Sequence, residues 1–333
     1  MTRDPFNGLV GSHASRSGGG YLLDQSPVRR GSYPTGNEYM FLEDVRQHSL
    51  PYRLNSEDAF EVQIISGNDE APEIVGNSLP GRGYGGGSLE GSLRDYLSSA
   101  LHHLLNGILV LEIEYFSRPE VLASKPVAFS IRILDPDFLK KRFGKYRLLV
   151  PSGLDLDKTL GWRWEKLKGE TLTAVTLPRR QKRDVKRALN AIRAMDQDVQ
   201  VMTDFTVGRH GAKSGFDFAA YQRRSRDIVL RASAPVGWSG RGLFTEGLLD
   251  PEKAQRAIQF ERFVASLRDV ALSGLQATIN KAGGVLGFDA RIELNGVLDA
   301  RALDRMQEEL AKGTRPISEL LHSRHPGTKQ PEE

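Results

Sequence analysis

Apolar residues recur at helical spacing in some stretches of this chain and alternate with polar ones in others. Leu93, Tyr96, Leu97, Ala100, Leu101, Leu104 and Leu105 fall on one face of a helix, and Asn106-Gly107 supplies its stop. The run ILVLEIEYF follows at once, with Leu109, Leu111, Ile113 and Tyr115 on one face of a strand. VAFSIRIL alternates Val127, Phe129, Ile131 and Ile133, so the two runs predict a hairpin across residues 117–126. DPDFLKKRFG predicts a short helix or turn, and YRLLVP and TLTAVTLP predict further strands. Together they predict a small mixed sheet with a helix on one side. Upstream, YMFLEDV and DAFEVQII predict a helix and a strand.

After Pro178 the pattern is mainly helical. Val185, Leu189, Ile192 and Met195 form an apolar stripe, and DVQVMTDFTVGRHGAKSGFDF, with its β-branched and Gly residues, predicts an interruption. DFAAYQRRSRDIVLRASA predicts a second helix. The third is the longest, with Asp250 as N-cap, Pro251 in the first turn and a stop at Gly283-Gly284. Its stripe of Ala254, Ile258, Val264, Leu267, Ala271, Leu275 and Ile279 would run about 48 Å. LDARALDRMQEELAKG predicts a shorter closing helix. The expected class is α+β: a small mixed sheet with a flanking helix, then a mainly helical C-terminal half. The organisation follows as an N-terminal arm and irregular segment over residues 1–90 and an α/β region over 91–177. Basic helices and their connecting loop occupy 178–235, a long-helix region 236–320 and a polar tail 321–333.

Composition narrows the function classes. The 333 residues are 39% hydrophobic and 26% charged, an ordinary composition for a soluble protein. Cysteine is absent, which excludes disulfides and thiolate metal sites. The N-terminal segment lacks the apolar core of a secretory signal, and the most apolar run falls far short of the ~20 residues of a membrane span. A soluble protein without membrane partners is expected. The net charge of +4 is unevenly placed: residues 178–241 hold fourteen Arg or Lys against six Asp, a local +8 that leaves −4 for the remainder. Such a concentration fits a phosphate-binding surface or a solvated, salt-bridged helix face.

Candidate chemistry is otherwise sparse. Gly81, Gly83 and Gly86 match a dinucleotide-loop spacing but follow NSLP rather than a strand, so a Gly-rich loop is the better reading. GRHGAKSG places Ala212 between Gly211 and Lys213 and so fails the phosphate-loop spacing. His102 and His103 are adjacent on a helix, and His322 and His325 lie near the tail. Neither pair makes a convincing metal site. No nucleophile, base or metal constellation is apparent, so neither enzyme activity nor a cofactor is expected. The candidate contact residues are cations: Lys182, Arg183, Lys186 and Arg187 on the first basic helix, Arg209 and Lys213 in the Gly-hinged loop, and Arg223 and Arg224 on the second helix.

The order of elements resembles that of the portal proteins of tailed bacteriophages over roughly residues 90–320. LRDYLSSALHHLLNGILVLEIEYF resembles their helix running into a strand, and FSIRILDPDFLKKRFGKYRLLVP the paired strands and turn that follow. SGFDFAAYQRRSRDIVLRASAPVGWSG resembles the later stem helix, AQRAIQFERFVASLRDVALSGLQATINKAG the long C-terminal helix, and LNGVLDARALDRMQEELAKGTRPISELL the closing helix. The resemblance implies a ring subunit, commonly one of twelve copies, at a capsid vertex of the virion, assembled in the host cytoplasm. Double-stranded DNA would pass through its channel, and the packaging terminase, capsid and tail-connector proteins would be its partners. It also implies that most of the basic residues meet neighbouring subunits, with Arg209 and Lys213 the better candidates for exposed sites. The alternative reading is a monomeric or dimeric nucleic-acid-binding protein whose basic helices around residues 179–231 contact phosphates.

Overall fold

The computed structural model describes residues 10–11, 36–50, 60–80, 88–118, 125–154, 160–208, 218–242 and 248–314. In chain order the elements are β1 (Val10–Gly11), α1 (Gly36–Ser49), β2 (Glu61–Ser66), α2 (Ala71–Ser78), α3 (Leu89–Leu105), β3 (Leu109–Ser117) and β4 (Ala128–Leu134). They continue with β5 (Leu139–Arg142), β6 (Lys145–Leu154), β7 (Leu160–Lys166), β8 (Leu172–Val175), α4 (Arg179–Gly208), α5 (Phe218–Ser233), α6 (Asp250–Leu286), β9 (Ala290–Asn295) and α7 (Ala300–Lys312). The class is α+β, small antiparallel sheets with a helical C-terminal half. The chain forms two compact units, each assembled from segments distant in sequence.

The first unit comprises residues 1–33, 58–176 and 268–296. Its central strand is β3, paired with β4 from Val110↔Leu134 to Phe116↔Ala128 and on its other edge with β8 and β1. The expected hairpin therefore forms. Leu109, Leu111 and Ile113 are fully buried, as is the whole apolar stripe of α3. Ser88 caps α3 by accepting from the Gly91 N–H at 3.1 Å, and Asn106 closes it. Tyr96, on that stripe, donates its hydroxyl to the Ala271 carbonyl of α6 at 2.8 Å. Glu112 and Glu114, on the opposite face of β3, are also buried, and Arg132 of β4 pairs with Glu114.

The sheet is divided more finely than the apolar pattern predicts. Besides the β3 sheet there is a β2–β9 ribbon and a β5–β6–β7 meander, and every described pairing is antiparallel. The DPDFLKKRFG segment splits into a 3₁₀ turn over Pro136–Phe138, capped by Asp135, and the strand β5. β7 and β9 are not among the expected strands, although LGWRWEK and ARIELN alternate apolar with charged residues as half-buried strands do; such short runs are held as strands by their partners.

Three helix ends also differ from expectation. α4 continues through DVQVMTDFTVG to Gly208 instead of breaking near Met195. Helix propagation adds one hydrogen bond per residue, which outweighs the few tenths of a kcal/mol that β-branched residues cost. α6 runs through Gly283-Gly284 to Leu286. There Gly283 serves close approach, since a Cβ would lie 2.4 Å from the Phe288 carbonyl oxygen. The helix ends one turn later at Gly287, whose φ of 86° suits the left-handed stop. At the other end of α6, Asp250 is already helical and Leu249 takes the cap position, its carbonyl accepting from Glu252 and Lys253. The seven apolar residues of the α6 stripe are nevertheless all buried.

The second unit comprises residues 34–57, 177–267 and 297–333. Val185, Ala188, Leu189 and Ile192 of α4 are buried in it, with Phe41 and Val45 of α1, Val229 of α5, and Trp238. Phe41 meets Trp238 edge-on at 5.3 Å and stacks with Phe263 at 6.4 Å. Arg262 of α6 ties α7 in through Asp304 at 2.6 Å and Gln307 at 2.8 Å.

A pH dependence follows from Tyr96 in the first unit. Burial pushes its phenol well above the ordinary tyrosine range. A raised folded-state value means that its contribution to stability is complete below the unfolded value of about 10 and is lost above it. Tyr96→Phe is expected to lower stability by about 1 kcal/mol at neutral pH, through the lost hydroxyl donor. It should also flatten the decline in stability above about pH 10. Urea titrations across pH check both, and an equally steep alkaline decline in the variant would refute the assignment.

Candidate nucleic-acid or subunit interface

The basic stretch over residues 178–195 lies on the first five turns of α4. Taking about 100° per residue from the buried stripe, Arg179, Arg183, Lys186 and Arg187 lie across the helix from it and Lys182 lies on its flank. All five are exposed. An apolar stripe this regular needs only one packed side, which leaves the charged side to water or to another molecule.

The helix is anchored through its other polar residues. Asp196 accepts from the backbone N–H groups of Asn37 and Glu38, each at 3.0 Å, and so caps α1 from across the unit. Gly36, at φ 56°, passes so close that a Cβ would sit 2.8 Å from the Asp196 carboxylate. Arg193 pairs with Glu38 at 2.6 Å, and that contact holds its guanidinium above its ordinary range. Gln181 donates to Ser266 of α6 at 2.6 Å. Of the cations in this stretch, Arg193 is thereby committed to the fold. Arg183 has Asp184 at 3.6 Å. Arg179, Arg180, Lys182, Lys186 and Arg187 have no acidic partner among the described residues.

α5 shows the same division of labour. Val229 and Ser233 are buried, while Arg223, Arg224 and Arg231 are exposed. Its C-terminal carbonyls are met by Arg256 of α6, which donates to Leu230 O at 2.7 Å. Burial at that position lowers the Arg256 pKa. Arg223 and Arg224 have no acidic partner among the described residues. Of the eight candidate cations, six are thus placed at the surface of one unit on two helices in contact with each other. Arg209 and Lys213 lie outside the described residues, as do Gly81, Gly83 and Gly86.

Other sites carry less chemistry. A cleft of about 380 Å³ opens between α6 and β9, lined by Leu272, Gln276, Asn280, Asp289, Arg291 and Leu294. Gln276 spans it, donating to Ala290 O at 2.7 Å and accepting from the Ile292 N–H at 3.0 Å, so its amide serves the open edge of β9. Among the described residues no three His, Asp or Glu side chains are grouped to hold a metal ion, and no helix is long and apolar enough to cross a membrane. A second cationic surface lies on β5–β7, where Lys140, Lys141, Arg142, Lys145 and Arg147 fall within eight residues. That density is visible along the chain, but which of these cations share a face is decided only when the strands pair. No protein-family model matches the chain, and no curated protein is significantly similar to it.

Proposed function

We propose that this chain is a ring-forming structural subunit of the tailed-phage portal class. In this reading copies of it enclose a channel for double-stranded DNA at a capsid vertex, where the terminase and later the tail connector dock. The observation that carries the reading is the set of exposed cations on α4 and α5 with no acidic partner among the described residues. The buried stripes of both helices are already satisfied within the unit, so these side chains contribute nothing evident to its stability. A neighbouring copy, carrying the compensating negative charge of the rest of the chain, accounts for them. Tyr39, Ile228 and Leu249, each more than half exposed on the same unit, add apolar area for such a contact. A closed ring is the symmetric way to bury a heterologous surface of this kind.

The same exposure favours a second reading, in which the helices hold phosphates directly. One variant separates them: Lys182, Arg183, Lys186 and Arg187 all replaced by Gln. In the ring reading, oligomers seen by light scattering and electron microscopy lose stability, most at low salt, while duplex DNA affinity barely moves. In the phosphate reading, the slope of log K against log salt flattens by about 3.6, at roughly 0.9 per contact. A strictly monomeric parent at high concentration, with other capsid components present, refutes the ring. So does a large loss of DNA affinity with oligomers intact.

A further inference from the structure

The β5–β6–β7 meander carries a row of cations that neither the fold nor the reading above uses. Its register sets Lys140 opposite Arg147, Arg147 opposite Lys166, and Arg142 opposite Lys145. Directly opposed residues share a face and successive residues alternate, so these five cations lie on one side of the sheet. Trp164, opposite Leu149, lies on that side too. The other side holds Leu139, Tyr146 and Leu148, packed against Val110, Leu134, Leu167 and Leu172. That is the face the fold requires.

All five cations are exposed, none has an ion-pair partner among the described residues, and no acid occupies their face. Like charges directly opposite one another destabilise a sheet. A row of three across three strands, Lys140, Arg147 and Lys166, therefore works against folding unless an anion meets it. An aromatic surface lies within the same array. Trp164 is 42% exposed, with the Lys140 ammonium 5.8 Å from its ring centroid. At the β5–β6 turn Phe143 is 88% exposed at φ 50°, with the Arg142 guanidinium 5.2 Å from its ring.

We propose that this face binds single-stranded nucleic acid. The cations hold phosphates, and a base stacks on Trp164 after displacing the Lys140 ammonium. Cations interleaved with an accessible ring are what a single strand uses, since its bases have open faces and its backbone is charged throughout. A duplex offers the phosphates but keeps its base faces stacked. An acidic polypeptide would meet the cations and leave the indole without a role. A membrane surface would engage Phe143, but Trp164 lies opposite Leu149, six residues and about 20 Å behind that turn. Interfacial insertion reaches only about 5–10 Å.

The proposal goes beyond the ring reading and does not depend on it. The test is fluorescence anisotropy of a short labelled oligothymidine with the full chain at low salt. The combined variant Lys140→Gln, Arg147→Gln, Lys166→Gln should bind at least tenfold more weakly, and its salt slope should flatten by about 2, at roughly 0.7 per contact on a single strand. Its melting temperature should hold or rise, because like charges have been removed. Trp164→Ala should weaken binding by roughly five- to hundredfold with the slope unchanged, and Trp164→Phe should restore most of it. The four-Gln variant of α4 should bind as the parent does. The proposal fails if the parent does not bind or if the sheet variant binds like the parent. It fails equally if a duplex binds as tightly with no effect of Trp164→Ala. Preferential binding to phosphatidylserine vesicles, abolished by Phe143→Ala, would assign the surface to membranes instead.

Discussion

Leu275→Asp is expected to abolish cooperative folding of the first unit, and Leu267→Asp that of the second. Both residues belong to α6 and both are fully buried, Leu275 in the part of the helix that serves the α/β unit and Leu267 in the part that serves the helical unit. Each substitution removes a packed side chain, at about 2–5 kcal/mol. It also places a carboxylate where no cation has been arranged to meet it, at a further cost of several kcal/mol. The sum rivals the whole stability of a domain, roughly 5–15 kcal/mol. There is little room to relax beside Leu275, because the adjacent Gly274 lies so close to Val175 that a Cβ would stand 2.5 Å from its methyl group. Urea unfolding followed by circular dichroism, with limited proteolysis, reads the result. Variants that unfold at the midpoint of the parent would show that α6 is not packed on both stretches of its stripe.

The second large effect centres on Asp44, a buried carboxylate of α1. It accepts from Trp238 Nε1 at 2.8 Å and from Arg241 Nε at 2.6 Å, and so gathers the turn after α5 onto α1. Trp238 is almost fully buried, so Asp44→Ala removes the Asp44 acceptor of its N–H in a dry site, at about 1–3 kcal/mol. Arg241 is half exposed, so its share is discounted for solvent screening. The expected total is about 3 kcal/mol. Asp44→Asn retains an acceptor for the indole and should recover roughly half of that loss. The two variants should therefore fall in order in urea titrations. If Asp44→Ala is as stable as Asp44→Asn, the hydrogen bond to Trp238 does not contribute as described.

The resemblance to portal proteins and the geometry of the helical unit bear on different questions. The first concerns the order of elements, the second why two helices expose several cations that have no acidic partner among the described residues. In the proposed ring, a neighbouring copy would meet those cations. The sheet face of β5–β7 is proposed to serve a different chemistry, because there the charges come with an exposed ring.

Sequence alone determined the elements whose signal is local. The stripes of α3 and α6 are legible because 3.6-residue periodicity is set by the helix itself, and every apolar position read from those two patterns is buried. The β3–β4 hairpin is legible for the same reason, from alternation in adjacent runs, and the basic character of α4 and α5 can be counted. What tertiary structure decided are the pairings between distant residues. Asp196 capping α1 over a separation of 159 residues, Asp44 gripping Trp238 over 194, and Gly283 making way for Phe288 leave no local trace, since Asp and Gly read as turn or solvent residues until a partner arrives. The end of α4 belongs with these, because weak β-branched preferences yield to cooperative helix propagation. So does the cationic face of β5–β7: spacing along one strand says only that side chains alternate, whereas the register between strands decides that Lys140, Arg147 and Lys166 form a single row.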